Sequence, residues 1–173
     1  YHGKYDYKKK WIEGYDLDSK ALEELRNRAK EIFDKYGISG EINIFNEDSL
    51  MISSTKSYNL IIGNPPYLGF NAQKPHHTEE IRKVFSHLSS HKYFDYISCW
   101  FYKAAIYIRF NDSFAFVATN SICQGMQVSI LWPHLFKLGL EIGFAHQSFT
   151  WTNNAKNNAG VICCIVGLRH IKN

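Results

Sequence analysis

The sequence predicts an α/β fold with a mostly parallel sheet and an antiparallel hairpin at its C-terminal end. Short apolar strands alternate with helical patterns along most of the chain. Several strands are continuous apolar runs, which are typical of parallel strands with helices on both faces. Two strand patterns near the end flank an Asn-rich connection, and they predict the hairpin.

The first element is a short strand over residues 11–17, followed by a helix. Asp18 or Ser19 is suited to cap the start of this helix, and Gly37 is suited to end it. Apolar side chains recur at helical spacing in Leu22, Leu25, Ala29, Ile32, Phe33 and Tyr36. The chain therefore begins with a strand-helix unit.

Two further strands precede a long polar segment. Residues 41–45 alternate like a strand, and residues 58–62 form an apolar run bounded by Gly63 and two prolines. Residues 68–92 exceed the usual length of a connection in a compact domain, so we expect a functional loop there.

That segment is locally basic, which suits contacts to DNA phosphates. Glu79 and Glu80 dilute the charge, and a solvated loop would have a similar composition. The side chains concerned are Lys74, His76, His77, Arg82, Lys83, His87, His91 and Lys92.

The C-terminal half is predicted to contain two helices and three strands. The helices cover residues 93–110 and 127–138, and Pro133 must kink or interrupt the second one. The strands cover residues 113–119, 140–148 and 160–168.

Composition limits the class of protein. The formal net charge of +4 suits a polyanionic partner without requiring one. No apolar run approaches the roughly 18 residues of a membrane span, so we expect a soluble protein with no membrane partner. The histidines lack metal-ligand spacing, and no metal is predicted. Without a CxxC pair, Cys99, Cys123, Cys163 and Cys164 indicate reduced, buried thiols of a cytoplasmic protein.

Four polar residues lie at or just beyond the ends of predicted strands: Asp16, Asp48, Asn64 and Asn120. Ligands of open α/β sheets bind at the carboxyl ends of the strands. We therefore expect these side chains to meet in one crevice.

The segment 58–67, YNLIIGNPPY, resembles the NPPY signature of class I N6-adenine and N4-cytosine methyltransferases. The resemblance implies a Rossmann-like methyltransferase fold with S-adenosylmethionine as cofactor. It also implies that the Asn64 side-chain oxygen and the Pro65 carbonyl accept the two hydrogens of the target amine. Pro65 and Pro66 hold that carbonyl still, and Tyr67 stacks on a flipped adenine. The structural alternative is a turn that merely follows a strand.

Two acids match cofactor-binding positions of that family. Asp16 ends the first strand, where the family uses an acid to accept from the ribose hydroxyls; Asp18 competes for the role but is better placed as a helix cap. Asp48 matches the acid that accepts from the adenine amino group of the cofactor. Its structural alternative is a loop cap, and Glu47 is the second choice for the role.

Three segments resemble the methyltransferase region of single-chain type II restriction-modification enzymes: 95–108, 118–132 and 144–168. By this resemblance, Phe149 or Trp151 forms a second wall of the target-base pocket, and the sequence does not decide between them. Asn120 and Gln124 are candidate polar groups of the pocket. Each of these residues also has a plausible purely structural role.

The glycine-rich cofactor loop of the family is expected before the Asp16 strand, yet only Gly3 occurs in the first ten residues. Residues 1–173 are therefore predicted to be a partial methyltransferase catalytic domain of a bacterial cytoplasmic protein that acts on double-stranded DNA. Closure of the strands at 11–17 and 58–62, missing parts of the polypeptide, or another chain would complete the sheet. Alternatives are a non-catalytic nucleic-acid-binding fragment and a methyltransferase acting on RNA or protein glutamine.

Overall fold

A computed structural model describes residues 12–38, 42–52, 55–88, 91–151 and 161–171. They belong to two units, with the boundary after residue 53. The expectation of a single domain over 1–173 stays a prediction. Four features of the sequence lie outside the described residues: residues 1–10 with Gly3, Trp11, Glu41 and the connection 152–160.

The first unit is a β-α-β arrangement. Strand β1 (Ile12–Tyr15) pairs in parallel with β2 (Ile42–Phe45), and helix α1 (Ser19–Tyr36) connects them. The rings of Tyr15 and Phe45 stack at 4.9 Å where the two strands end. The first two predicted strands and the first helix are confirmed.

Both ends of α1 follow local sequence signals. The Asp18 carboxylate accepts the backbone N–H of Lys20 at 2.9 Å, which satisfies a donor that the first helical turn leaves unpaired. Gly37 adopts a left-handed conformation with φ 63° and ends the helix. The predicted cap and the predicted stop are therefore confirmed.

The second unit contains a four-stranded mixed sheet in the order β3-β4-β6-β5. β3 and β4 are parallel, whereas β6 is antiparallel to both β4 and β5. The strands are β3 (Tyr58–Gly63), β4 (Ile108–Thr119), β5 (Leu140–Trp151) and β6 (Val161–His170). The predicted C-terminal hairpin is confirmed as β5 and β6.

Among its described residues, the second unit contains four α-helices: α2 (Pro75–Val84), α3 (Ser98–Tyr107), α4 (Gly125–Ile130) and α5 (Trp132–Lys137). The predicted interruption near Pro133 is confirmed as the break between α4 and α5. Phe101 of α3 packs edge-to-face on Phe114 and Phe116 of β4, with ring centres 5.9 and 5.3 Å apart. This aromatic cluster lies in the core between α3 and the sheet.

The prediction of a long loop over residues 68–92 is wrong, because α2 lies within it. Pro75 occupies the first turn of this helix, where its missing N–H costs nothing. Ile81 and, just beyond the helix, Phe85 lie four residues apart and are buried. The helix thus has an apolar side, although basic residues dominate its sequence.

The prediction of a helix over residues 93–110 is also too long. α3 ends at Tyr107, and Ile108 already pairs with Tyr58 of β3. Asn111 has a φ of 71°, within a stretch where the register of the two strands shifts. Pairing with a distant strand therefore overrides the helical pattern of 108–110.

One face of β3 stays open to solvent. Leu60 and Ile62 are 60% and 73% exposed, and they alternate with Ile61, which pairs with Phe114 of β4. Among the described strands, β1 and β3 belong to separate sheets. Whether the sheet is completed by closure of these two strands, by another segment or by another chain stays a prediction, because β1 and β3 lie in separate units.

Candidate active site

The NPPY segment begins where β3 ends, at the carboxyl edge of the second sheet. Gly63 approaches β4 so closely that a Cβ there would lie 3.3 Å from Cε1 of Phe116. Pro65 is buried, whereas Asn64 is exposed. The backbone of the segment is thus anchored in the protein, while the Asn64 amide faces solvent and is accessible to a ligand.

Tyr67 links Asn64 to strand β6. Its hydroxyl donates a hydrogen bond to Oδ1 of Asn64. Burial, reinforced by the neighbouring Cys163 thiol, raises the pKa of Tyr67 to about 12. The hydroxyl is therefore neutral near pH 7 and acts as a donor, and a carbonyl oxygen such as Oδ1 keeps a second lone pair for another donor.

The register of the C-terminal hairpin distinguishes the two candidate aromatic walls. Phe149 lies directly opposite Cys163, whose thiol contacts the Tyr67 hydroxyl. Trp151 lies opposite Val161, two residues further along β5. Phe149 is therefore the aromatic residue nearer to the NPPY segment.

Asn120 already has a structural partner. Its Nδ2 donates to Oγ of Ser148 at 2.8 Å, which ties the end of β4 to a bulge in β5. The structural alternative that the sequence left open for Asn120 is realised in this contact. Gln124 is exposed at the start of α4.

Asp16 follows β1 directly, and Asp48 follows β2 after Asn46 and Glu47, so both come after strands that end at the carboxyl edge of the first sheet. Oδ1 of Asp16 accepts the N–H of Asp18 at 2.8 Å, and Oδ1 of Asp48 accepts the N–H of Leu50 at 2.9 Å. Asp48 thus also caps the turn that follows it. Each carboxylate has a second oxygen, so neither contact prevents it from accepting a ligand hydrogen bond.

Sequence reasoning missed Asn46, which follows β2 directly. Its Nδ2 donates to the carbonyl oxygens of Asp16 and Leu17, at 3.0 Å each, and so fixes the turn that carries Asp16. The available signal was an asparagine directly after β2, the strand that pairs with β1, which Asp16 follows. The predicted meeting of Asp16 and Asp48 with Asn64 and Asn120 stays a prediction, because the two pairs lie in separate units.

Part of the basic segment has partners within α2. Arg82 forms a double hydrogen bond to Glu79, at 2.7 and 2.8 Å. Nδ1 of His77 accepts the N–H of Lys74 at 3.1 Å, and burial together with the neighbouring His76 lowers the pKa of His77. Phosphate contact would therefore depend on the other basic side chains, such as the exposed Lys83.

The four cysteines are free thiols. The prediction that all are buried is wrong for Cys123, which is exposed in the turn after β4 with its Sγ 3.9 Å from that of Cys164. Within the described residues, no group of three or more His, Cys, Asp or Glu side chains is arranged to hold a metal ion. None of the described helices combines the length and apolar character of a bilayer span.

The fold and the NPPY segment together define an α/β methyltransferase. Residues 18–173 match the family described as MmeI, DNA-methyltransferase domain, and the chain belongs to that family. It is 53% identical over 108 residues to DNA methyltransferase A of Bacillus subtilis (strain 168), a match that covers 62% of this chain and 12% of that protein. The chain thus spans about an eighth of the length of this relative.

Solved structures show the same fold. The type IIL restriction-modification enzyme MmeI, solved in complex with DNA, is 37% identical with a TM-score of 0.71, covering 86% of this chain and 22% of that one. The type IIG restriction endonuclease BpuSI is 13% identical with a TM-score of 0.61, covering 92% and 19%, and shows the fold alone. The cofactor of the methyltransferase class to which the chain belongs is S-adenosylmethionine.

Proposed function

We propose that this domain transfers a methyl group from S-adenosylmethionine to the N6 amine of adenine in double-stranded DNA, as part of a restriction-modification protein. The proposal rests on one arrangement: the NPPY segment at the carboxyl end of β3, with an anchored backbone and an exposed Asn64 amide. Its family and its likeness to an enzyme solved with DNA support the same substrate.

Asn64 and Pro65 supply the acceptors that the reaction needs. The lone pair of an exocyclic amine is delocalised into the ring, so the nitrogen is a weak nucleophile. Oδ1 of Asn64 and the Pro65 carbonyl accept the two amine hydrogens and turn the lone pair out of the ring. S-adenosylmethionine, when bound, supplies an electrophilic methyl on a sulfonium. The methylated nitrogen is cationic and acidic, so no base of unusual pKa is required.

Tyr67 and Phe149 form the two walls against the flipped base. An amine inside the DNA stack is out of reach, so the adenine must leave the duplex and stack in the site. The Tyr67 ring follows the prolines directly, and Phe149 lies across from the Cys163 thiol that the Tyr67 hydroxyl contacts. This arrangement favours Phe149 over Trp151 as the second wall, while Asn120 supports the β5 bulge beside it.

Asp16 and Asp48 are suited to bind the nucleoside part of the cofactor. Carboxylates at the ends of two parallel strands are acceptors for ribose hydroxyls and for an adenine amine, and both lie at one edge of the first sheet. Leu17, which follows Asp16, is 71% exposed and offers an apolar surface. The residues present therefore fit the cofactor.

The proposal is tested by offering labelled S-adenosylmethionine and three substrates to the full-length protein that contains this domain. We expect methyl transfer to duplex DNA and none to RNA or to a glutamine peptide. Transfer to RNA or to the peptide alone would contradict the proposed substrate. A protein that binds DNA but transfers no methyl group to any of the three would support the non-catalytic alternative instead.

A further inference from the structure

We infer that Asp95 and Gln127 are positioning residues of the active site, because together they hold the segment 68–73 that follows Tyr67. The inference rests on the proposed function, since it explains how the base-stacking tyrosine is kept in place. Both side chains are almost completely buried, each with 4% exposure.

Asp95 binds the segment through its side chain. Its Oδ1 accepts the backbone N–H of Phe70 at 3.1 Å. Two further contacts join the same stretches of chain: the Tyr96 N–H donates to the Leu68 carbonyl at 2.8 Å, and Nε2 of Gln73 donates to the Phe94 carbonyl at 2.8 Å. The segment after Tyr67 is thus fixed at its start, middle and end.

Gln127 binds the main chain on either side of Phe94. Its Oε1 accepts the Asp95 N–H at 3.1 Å, and its Nε2 donates to the Tyr93 carbonyl at 2.8 Å. Both ends of the amide are therefore used on the stretch 93–95. Through this contact, α4 supports the same segment that Asp95 binds.

The chemistry of Asp95 points to positioning. Burying a carboxylate is costly, and an apolar side chain of similar volume would contribute more to stability. Within the described residues, the ion pairs involve other carboxylates and Asp95 has a backbone N–H as its partner. The carboxylate does not cap α3 either, since the Ser98 N–H donates to the main-chain oxygen of Asp95 at 2.9 Å.

The consequence is a short span held at both ends. Pro65 is buried before Tyr67, and the hydrogen bonds to residues 94–96 hold the chain from Leu68 onward. Tyr67 lies between these anchors, so its ring is presented to the base in one orientation. Releasing the second anchor should misplace the ring without touching the cofactor residues.

The test compares Asp95→Ala, Asp95→Asn and Gln127→Ala in the full-length protein. Because a small misplacement of reacting groups is costly, we expect Asp95→Ala and Gln127→Ala to lower kcat roughly 10- to 100-fold, while KM for S-adenosylmethionine changes less than about twofold. Asp95→Asn should retain most activity, because its amide oxygen can still accept the Phe70 N–H.

Leu140→Ala serves as the control for general loss of stability. Leu140 is buried at the start of β5 and pairs with His170, at the far end of the hairpin from Phe149. An equal loss of kcat in this variant at a similar loss of Tm, or wild-type kcat in both Asp95→Ala and Gln127→Ala, would overturn the inference.

Hydrogen exchange of the Phe70 amide gives a readout that does not depend on activity. The amide should be protected in the wild type and in Asp95→Asn, and should exchange faster in Asp95→Ala. If the wild type methylates no adenine, the proposed function fails, but this exchange pattern still tests whether Asp95 holds the Phe70 amide. Unchanged protection of Phe70 in Asp95→Ala would overturn the inference even in an active enzyme.

Discussion

Asn64 and Asp16 have separate tasks in the proposed reaction, so their substitutions should have separable effects. Asn64→Ala should abolish methyl transfer and leave the affinity for S-adenosylmethionine nearly unchanged, because it removes an acceptor of the target amine. Asp16→Ala should weaken cofactor binding. Calorimetric titration and a transfer assay measure both effects.

Matched controls for these variants lie in the adjacent elements β3 and α1. Asn59→Ala alters an exposed asparagine of β3 that bonds Asp112 at 2.8 Å, and Asp34→Ala removes an exposed acid of α1. Both should transfer methyl groups normally. Equal loss of cofactor affinity in Asn64→Ala and Asp16→Ala would contradict the assigned roles.

Tyr67 combines a ring that we propose stacks on the base with a hydroxyl that contacts Asn64 and Cys163. Tyr67→Ala should lower turnover, because the flipped base loses a stacking partner typically worth about 1 to 3 kcal/mol. Tyr67→Phe should be mild, since the ring remains. Fluorescence of 2-aminopurine at the target position measures the flipping; undiminished flipping with normal turnover in the alanine variant would make Tyr67 a packing residue only.

The elements that could be predicted from the sequence are those with local signals. Asp18 and Gly37 define α1 through a cap and a left-handed stop, and neither depends on the rest of the fold. α2 was missed because its apolar side consists of few residues, such as Ile81, among many basic ones. The early start of β4 was missed because it depends on pairing with β3, a non-local contact.

The site shows the same division. NPPY is a contiguous motif after an apolar strand, so its position at the end of β3 could be predicted. The choice between Phe149 and Trp151 depends on the β5-β6 register, which shifts between His146 and Phe149. A shift of this kind changes which residue of β5 lies opposite Cys163 and leaves no clear local signal. Asn46 was missed because its role depends on the adjacent strand.

At the scale of a single helix, the cap of α1 should contribute measurably to stability. Asp18→Ala should lower the free energy of unfolding by about 1 kcal/mol, since the Lys20 N–H loses its acceptor. Urea unfolding of the purified chain measures this change. Asp34→Ala is the control on the same helix and should cause no comparable loss. An equal loss of unfolding free energy in both variants would show that the Asp18 cap makes no specific contribution.

At the scale of the whole molecule, the described strands form two separate sheets, and β3 is an edge strand with exposed Leu60 and Ile62. Unpaired strand edges and exposed apolar side chains favour association with a further segment or chain. We therefore propose that residues 1–173 alone do not methylate DNA and bind S-adenosylmethionine poorly. Equilibrium dialysis with radiolabelled cofactor should detect no tight binding, and a transfer assay on mixed-sequence DNA should detect no methylation. Micromolar binding with measurable transfer would contradict this proposal.

The most direct test of the central claim is nucleoside analysis by mass spectrometry of duplex DNA methylated by the full-length protein with isotopically labelled S-adenosylmethionine. The proposed chemistry predicts labelled N6-methyladenine with the wild type and with Asn59→Ala, and none with Asn64→Ala. Labelled N4-methylcytosine in place of N6-methyladenine, or undiminished adenine methylation by Asn64→Ala, would contradict it.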